Sequence, residues 1–240
     1  MDGPAQIGDW QKISELGSGG FGVVSLWKNI TNEDCIAIKK CKFLTNTVLT
    51  ERQKERWNKE VHIMKIINHP NIVKYKDIPS DLEAGLLRYN PTLLPLLPME
   101  YCSKGNLRRV LNNPKNICGL QEEDVRCILE DVSNGLQHLH KLKITHRDIK
   151  PDNIVLQHCD DRRNTIYKII DLGYAKELDN TVASFVGTLH YLAPEIFENV
   201  QYNSSVDYWS MGILTFEVVC GDLPFLPLLT PVERYLCFVC

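Results

Sequence analysis

The sequence predicts an α+β fold in two lobes, a small β-rich first lobe with one key helix and an incomplete helical second lobe. The first third of the chain holds short apolar runs typical of strands, at residues 11–29 and 35–41. One amphipathic helix follows them, and two further helical periodicities, at 122–140 and 206–220, occupy the second half. Strands at one end of a chain and helices at the other are typical of an α+β domain.

The boundary between the lobes follows from a change in composition. Residues 79–98 are rich in proline and leucine, and we interpret them as a loop that enters a strand ending near Met99. A short connector comes next. We therefore expect the first lobe at residues 1–101 and the second lobe at residues 102–240.

The helix of the first lobe begins at a capping box, because Thr50 is followed three residues later by Gln53. Apolar residues recur at spacings of three and four and predict one buried face: Trp57, Val61, Met64 and Ile67. Glu60 lies on that same face. The run at 69–71, His-Pro-Asn, ends the helix.

Composition and charge exclude several classes of protein. The chain has 240 residues, of which 44% are hydrophobic, enough for a sizeable core. Its formal net charge of −3 does not fit the basic footprint of a nucleic-acid-binding protein. We expect neither a membrane span nor a secretory signal. Nine scattered cysteines without such a signal predict reduced thiols and a cytoplasmic location.

The first motif is a glycine-rich run, Gly-Ser-Gly-Gly-Phe-Gly-Val-Val, with its glycines at Gly17, Gly19 and Gly22. A dinucleotide-binding fingerprint would need a helix directly after it and an acid about twenty residues on, where Lys42 stands. A Walker loop would need Gly-Lys-Ser or Gly-Lys-Thr, which is absent. The remaining interpretation is a strand-turn-strand flap over nucleotide phosphates.

The second motif is Ile-Ala-Ile-Lys, which ends at Lys39, seventeen residues after Gly22. A lysine on a strand here can reach nucleotide phosphates if an acid holds it in place. Glu60 is the candidate, because an acid on an apolar helix face needs a cationic partner. Taken singly, a solvated lysine and a solvated helix acid are the more common alternatives.

The third motif, at residues 146–153, reads His-Arg-Asp-Ile-Lys-Pro-Asp-Asn. Asp148 can accept a proton from an attacking hydroxyl group, and Lys150 can screen a transferring phosphoryl group. Asn153 can hold a magnesium ion. Five matched positions make a coincidence improbable, so this motif decides the interpretation.

Two further motifs follow in order. Asp171 begins Asp-Leu-Gly, eighteen residues after Asn153, and supplies a second oxygen ligand for magnesium. Ala-Pro-Glu, ending at Glu195, closes an activation segment. The order of all five motifs is that of a protein kinase.

From about residue 10 to about residue 226, the sequence therefore resembles a eukaryotic protein kinase domain. Lys150 and Thr188 resemble the serine/threonine subclass. More narrowly, the chain is similar to the inhibitor-of-κB kinases, in three stretches: 98–102, 171–179 and 184–195.

The resemblance implies that ATP and Mg²⁺ are the cofactors. It implies an adenine pocket lined by four side chains: Leu16, Val24, Ala37 and Val155. Met99 resembles the gatekeeper, and the Glu100 carbonyl and Cys102 amide resemble the groups that bind the adenine edge. Asp207 resembles the helix acid that anchors the backbone of the catalytic loop.

The activation segment suggests regulation by phosphorylation. A phosphate on Ser184 would add almost two negative charges, for which Arg147 and Lys176 are the candidate cationic partners. The alternative is an unmodified loop serine. The family carries two activation serines four residues apart, whereas Thr181 and Ser184 are three apart, so Thr181 is the weaker candidate.

Two functional hypotheses follow. The first is an active kinase that phosphorylates inhibitor-of-κB-like substrates and is activated by an upstream kinase or by trans-autophosphorylation. The second is a C-terminally truncated, catalytically weak product that binds nucleotide or partners and competes with the full enzyme. The second arises because the arginine that normally pairs with Glu195 is expected in helices that the sequence lacks.

Overall fold

The computed structural model of the chain describes residues 4–19, 22–42, 49–90, 92–160, 164–177, 186–197 and 201–225. The chain divides into two compact units, one formed by Met1–Asn68 with Val73–Tyr101 and the other by His69–Ile72 with Cys102–Cys240. The first unit is built on an antiparallel sheet and the second contains the longest helix. The mixed α+β class that the sequence predicts is therefore confirmed.

The sheet of the first unit has five antiparallel strands in sequence order: β1 (Gln6–Ile7), β2 (Trp10–Ser18), β3 (Gly22–Asn29), β4 (Cys35–Cys41) and β5 (Leu97–Glu100). Because side chains alternate along a strand, β4 serves both faces of the sheet. Ile36 and Ile38 belong to one apolar cluster together with Trp10 and Trp27. Ala37 and Lys39 point to the opposite face.

Helix α1 (Glu51–Ile66) has the cap that the sequence predicts. The Gln53 amide donates to the Thr50 hydroxyl, and the Gln53 side chain accepts from the Thr50 amide at 2.9 Å. These bonds satisfy donors that the first turn of a helix leaves without partners. Glu60 is 3% exposed, so the predicted buried face carries its acid as expected.

Helix α2 (Ser80–Arg88) corrects the interpretation of residues 79–98 as a loop. Pro79 precedes the first helical residue, where its missing N–H costs no helical hydrogen bond. Leu82 and Leu86, one helical turn apart, are buried in the same apolar cluster against the sheet. Tertiary packing of these two leucines thus stabilises a nine-residue helix that local signals did not reveal.

The second unit combines helices with short strand pairs. Its elements are α3 (Leu107–Leu111), α4 (Glu122–Lys141), β6 (Ile144–Thr145), β7 (Ile154–His158), β8 (Thr165–Ile169), β9 (Lys176–Glu177), α5 (Pro194–Phe197) and α6 (Ser205–Cys220). β6 pairs with β9 and β7 pairs with β8, both antiparallel. The two helices predicted at 122–140 and 206–220 are confirmed.

Helix α4 positions the β7–β8 hairpin. The helix buries an apolar stripe: Val125, Ile128, Val132, Leu136 and Leu139. Its Asp131 carboxylate accepts the Tyr167 amide at 2.9 Å, and a Cβ on Gly135 would lie 2.8 Å from the Ile169 side chain. The missing side chain therefore lets the helix approach β8, whose end leads into the Asp-Leu-Gly motif.

Two global features of the described residues complete the fold. None of their helices is both long enough and apolar enough to cross a bilayer. Their cysteines differ in exposure: Cys41, Cys102 and Cys127 are buried, whereas Cys118 and Cys220 are exposed.

Candidate active site

The sheet of the first unit places several predicted nucleotide-binding residues in one row. Gly17 pairs with Val24 across β2 and β3, and Val24 pairs with Lys39 across β3 and β4. Ala37 pairs with Met99 across β4 and β5. Directly opposed residues of an antiparallel pair project to the same face, so Val24, Ala37, Lys39 and Met99 share one face of the sheet.

The glycine-rich motif begins at the end of β2 and continues into β3, and its residues 20 and 21 lie outside the described residues. The Gly19 amide donates to the Gly22 carbonyl at 2.9 Å and draws the two strands together. A Cβ at Gly17 or Gly19 would meet no atom within 4 Å, so these two positions border open space. At Gly22, in contrast, a Cβ would come within 3.0 Å of the Lys40 carbonyl. The missing side chain is therefore needed for close packing at Gly22, whereas at Gly17 and Gly19 it leaves open space.

Lys39 and Glu60 form a buried ion pair. The Lys39 ammonium lies 2.5 Å from the Glu60 carboxylate, and their side chains are 11% and 4% exposed. Strand β4 and helix α1 thus bring together two residues that are 21 positions apart. Breaking a buried pair of this kind by removal of one partner costs about 3–5 kcal/mol.

In the second unit, Asp148 is held by three donors. Its Oδ2 atom accepts from the Asn153 amide group at 2.9 Å and from the Lys150 ammonium at 2.9 Å. Its Oδ1 atom accepts from the Thr188 hydroxyl at 2.7 Å, and Thr188 accepts in turn from Lys150 at 2.5 Å. Asp148 is 3% exposed. Three residues from two segments of the chain therefore contact one carboxylate.

Asp207 fixes the backbone that carries Asp148. It is fully buried and accepts the amides of His146 at 2.8 Å and Arg147 at 2.7 Å. Nε2 of His140 lies 2.8 Å from the same carboxylate. Arg147 has a φ of 69°, a left-handed conformation that a non-glycine residue rarely adopts. The two amide hydrogen bonds to Asp207 stabilise this conformation.

Asn153 and Asp171 supply the oxygen atoms that a magnesium ion prefers. The Asn153 amide nitrogen is engaged with Asp148, and its backbone carbonyl accepts the Ile170 amide at 2.9 Å, next to Asp171. Among the described residues, no cluster of three or more His, Cys, Asp or Glu side chains is arranged to hold a metal ion. Two oxygen ligands of this kind would fit Mg²⁺, which takes its remaining ligands from substrate phosphates and water.

The predicted adenine-binding residues are divided between the two units. Leu16, 44% exposed, and Met99 and Glu100 lie in the first unit, whereas Cys102 and Val155 lie in the second. Within the first unit, the Glu100 amide donates to the Lys74 carbonyl at 3.0 Å, and its side chain accepts the Lys74 amide at 2.8 Å.

The predicted regulatory residues have different surroundings. Ser184 and Thr181 lie outside the described residues. Arg147 donates to the Tyr174 carbonyl at 2.7 Å and to the Tyr202 hydroxyl at 3.1 Å, and Lys176 lies half-buried on β9. Glu195 is half-buried on α5 and makes no ion pair within the ranges that the structure describes.

Sequence reasoning missed a polar network beneath the site. Arg108, on α3, donates to the Tyr191 hydroxyl at 2.8 Å, to Asp152 at 3.2 Å and to Glu217. Tyr191 donates to Glu217 at 2.5 Å. Burial and the bond to Glu217 raise the pKa of Tyr191. Burial alone would lower the pKa of Arg108, but its bond to Glu217 and the surrounding negative charge raise it.

The one signal of this network in the sequence is Glu217 itself. It is an acid on the apolar helix α6 and is only 5% exposed. The cue is the same as the one that identified Glu60, because a buried acid needs a cationic partner.

These observations define a class of protein. A family model described as protein kinase domain matches residues 10–229, and the chain belongs to that family. Within the family, the chain is 47% identical to the inhibitor of nuclear factor kappa-B kinase subunit alpha of Xenopus laevis, over 229 residues and 95% of its length. It is 48% identical to the subunit beta of Bos taurus, over 228 residues and 94% of its length. The predicted resemblance is confirmed.

Identity to the subunit epsilon of Mus musculus is lower, at 33% over 228 residues and 91% of the chain. The chain is therefore more similar to the alpha and beta subunits than to this epsilon subunit. It spans 29% of the length of the alpha and beta relatives and 30% of the epsilon relative.

Proposed function

We propose that this chain is an ATP-dependent serine/threonine protein kinase that phosphorylates inhibitor-of-κB-type proteins in NF-κB signalling. Membership of the protein kinase domain family supports the activity, and the names of the alpha and beta relatives support the substrate class. The proposed location is the cytoplasm. The proposed activator is an upstream kinase, or a second copy of the chain, acting on Ser184.

The observation that carries the proposal is the environment of Asp148. The carboxylate is almost fully buried, yet three donors, Lys150, Asn153 and Thr188, contact it. The Asp148 carboxylate can accept the proton of a substrate serine as the serine oxygen attacks the γ-phosphorus, and ADP leaves.

The cations of the site act on the phosphoryl group. Lys150, within 2.9 Å of Asp148, places its positive charge where the phosphoryl group transfers. In the first unit, Glu60 orients Lys39, and the lysine binds the ATP phosphates. Asn153 and Asp171 would hold Mg²⁺. When bound, this ion neutralises charge that develops on the phosphoryl oxygens.

Replacement of Asp148 tests the proposal. Asp148→Asn keeps the side-chain volume but removes the proton acceptor, so phosphate transfer to a serine peptide of inhibitor-of-κB type should fall by about 10²–10⁴-fold. The measurement is the initial rate of radiolabelled phosphate transfer from Mg-ATP with purified chain. Asp160→Asn is the matched control, because the Asp160 side chain is fully exposed.

The two arms separate the possible results. Equal rates for the parent and Asp148→Asn would reject the assigned role of Asp148. A parent chain that binds Mg-ATP without any transfer would favour the competing hypothesis of a nucleotide-binding, catalytically weak product.

A further inference from the structure

Trp57 contacts three different segments of the first unit around the Lys39–Glu60 pair. It lies on α1, three residues before Glu60, and is 3% exposed. Its periodicity alone would class it as one more apolar residue of the helix face. Its contacts show a more specific role.

The first contact is a hydrogen bond that fixes the indole ring. Nε1 of Trp57 donates to the carbonyl of Pro95 at 2.8 Å. Pro95 stands two residues before Leu97, and Leu97 pairs with Lys39 across β4 and β5. The indole therefore links α1 to the segment that enters the strand beside Lys39, and the bond sets the orientation of the ring.

The second contact is with the lysine itself. The Lys39 ammonium lies 5.8 Å from the centroid of the Trp57 ring, within the range of a cation–π interaction. Glu60, on the next turn of the same helix, contacts the same ammonium at 2.5 Å. One helix face thus presents a carboxylate and an aromatic ring to one cation.

The third contact is with the glycine-rich motif. A Cβ on Gly22 would lie 3.2 Å from the Trp57 ring and 3.2 Å from the Lys39 side chain. These distances are tighter than ordinary van der Waals contact. The absence of a side chain at Gly22 is therefore what allows the ring to pack against the start of β3.

We propose that Trp57 is a positioning residue that couples the glycine-rich turn to the Lys39–Glu60 pair and so sets the affinity for ATP. This inference rests on the proposed function, because it assigns Lys39 to the ATP phosphates. The ring itself makes no contact with substrate in this role. It holds Lys39 beside Glu60 and holds Gly22 beside Lys39.

The test is Trp57→Phe, which keeps an aromatic ring but loses the donor to Pro95. We expect kcat/KM for ATP to fall on the order of tenfold, while KM for the serine peptide stays unchanged. Trp27→Phe is the matched control. Trp27 is 2% exposed in the same unit and donates to Ser25 at 3.0 Å, but it belongs to the apolar cluster on the other face of the sheet.

The outcomes are distinguishable. An unchanged kcat/KM for ATP in Trp57→Phe, or an equal fall in Trp27→Phe, would overturn the inference and leave the proposed function intact. Absence of both transfer and an ATP-induced rise in melting temperature in the parent chain would reject the proposed function, and this inference with it.

A second measurement covers the case in which Trp57→Phe does not fold. The parent chain has four tryptophans, which can be labelled with 5-fluorotryptophan and followed by fluorine NMR. Mg-ATP should shift one resonance, and Lys39→Ala should shift the same one. Four resonances that stay in place at saturating Mg-ATP would contradict the proposal.

Discussion

At the scale of single residues, the backbone of the 146–153 motif is held in place by a side chain from a distant part of the sequence. Arg147 and Asp171 have φ values of 69° and 63°, conformations that cost on the order of 1–3 kcal/mol each for a non-glycine residue. Asp207 accepts the amides of His146 and Arg147. At Arg147, the unfavourable backbone conformation is therefore offset by hydrogen bonds to a buried carboxylate.

Asp207→Asn should destabilise the chain. The asparagine can accept with only one atom, and its amide group would face a backbone N–H or His140 in place of an acceptor. Loss of buried hydrogen bonds to a charged group should lower the free energy of unfolding by about 1–3 kcal/mol, measured by urea denaturation. Asp160→Asn, at an exposed position, serves as the control, and an equal urea midpoint for both variants would contradict the expectation.

A residue's role could be predicted from the sequence only where the residue belongs to a motif with fixed spacing. The roles of Asp148 and Lys39 rest on spacings that match a known order of motifs, and they stay predictions. The role proposed for Trp57 has no such pattern behind it, because its partners Pro95 and Gly22 are 38 and 35 positions away and carry no side-chain signal. Glu60 is an intermediate case. An acid within an apolar stripe indicates that a cationic partner exists, but it does not identify that partner.

At the scale of elements, hydrophobic periodicity identified the long helices and missed the short ones. α1, α4 and α6 each extend over 16 residues or more and were predicted close to their observed bounds. α2 has nine residues, only two of them buried, and lies among prolines. So short a helix depends on packing against the sheet, which no local pattern records.

The polar network that joins α3, α6 and the turn Leu189–Tyr191 predicts how the stability of the chain changes at high pH. The pKa of Tyr191 is raised in the folded chain, so the unfolded chain releases this proton first, near pH 10. The stabilisation is complete below about pH 10 and declines as the pH rises, by up to about 1.4 kcal/mol per pH unit. Tyr191→Phe should be less stable at neutral pH but should lack this decline.

Urea denaturation between about pH 8 and pH 11 compares the two chains directly, because every other titrating group contributes equally to both. Parallel curves for the parent and Tyr191→Phe would show that Tyr191 ionises as easily folded as unfolded. That result would show that the network does not cause the free energy of unfolding to decrease at high pH.

At the scale of the whole molecule, nucleotide binding should stabilise the native chain. A ligand that binds only the folded state at a hundred times its Kd adds about 2.7 kcal/mol to the free energy of unfolding. Mg-ATP should therefore raise the melting temperature of the parent, and Lys39→Ala should abolish the rise because it removes the cation held by Glu60. Mg-GTP at equal concentration controls for general effects of a nucleotide and metal. An undiminished rise in Lys39→Ala would remove Lys39 from the ATP site.

The order of motifs along the chain predicted the family and the α+β class, because each motif combines fixed residue types with fixed spacing. The same order could not predict the network of Arg108, Tyr191 and Glu217. Arg108 and Glu217 are 109 positions apart and meet only because α3 and α6 pack in one unit. Contacts between residues so far apart in the sequence depend on tertiary packing, and local periodicity does not reveal them.

The positions of the donors around Asp148 also determine which oxygen atom of the carboxylate can accept a further hydrogen bond. A carboxylate offers about four lone-pair positions, two on each oxygen. Lys150 and Asn153 occupy both positions of Oδ2, whereas Thr188 occupies one of Oδ1. Within the described residues, the remaining vacancy lies on Oδ1. In the proposed function, an incoming alcohol would therefore donate its proton to Oδ1, the oxygen atom that the neighbouring side chains leave available.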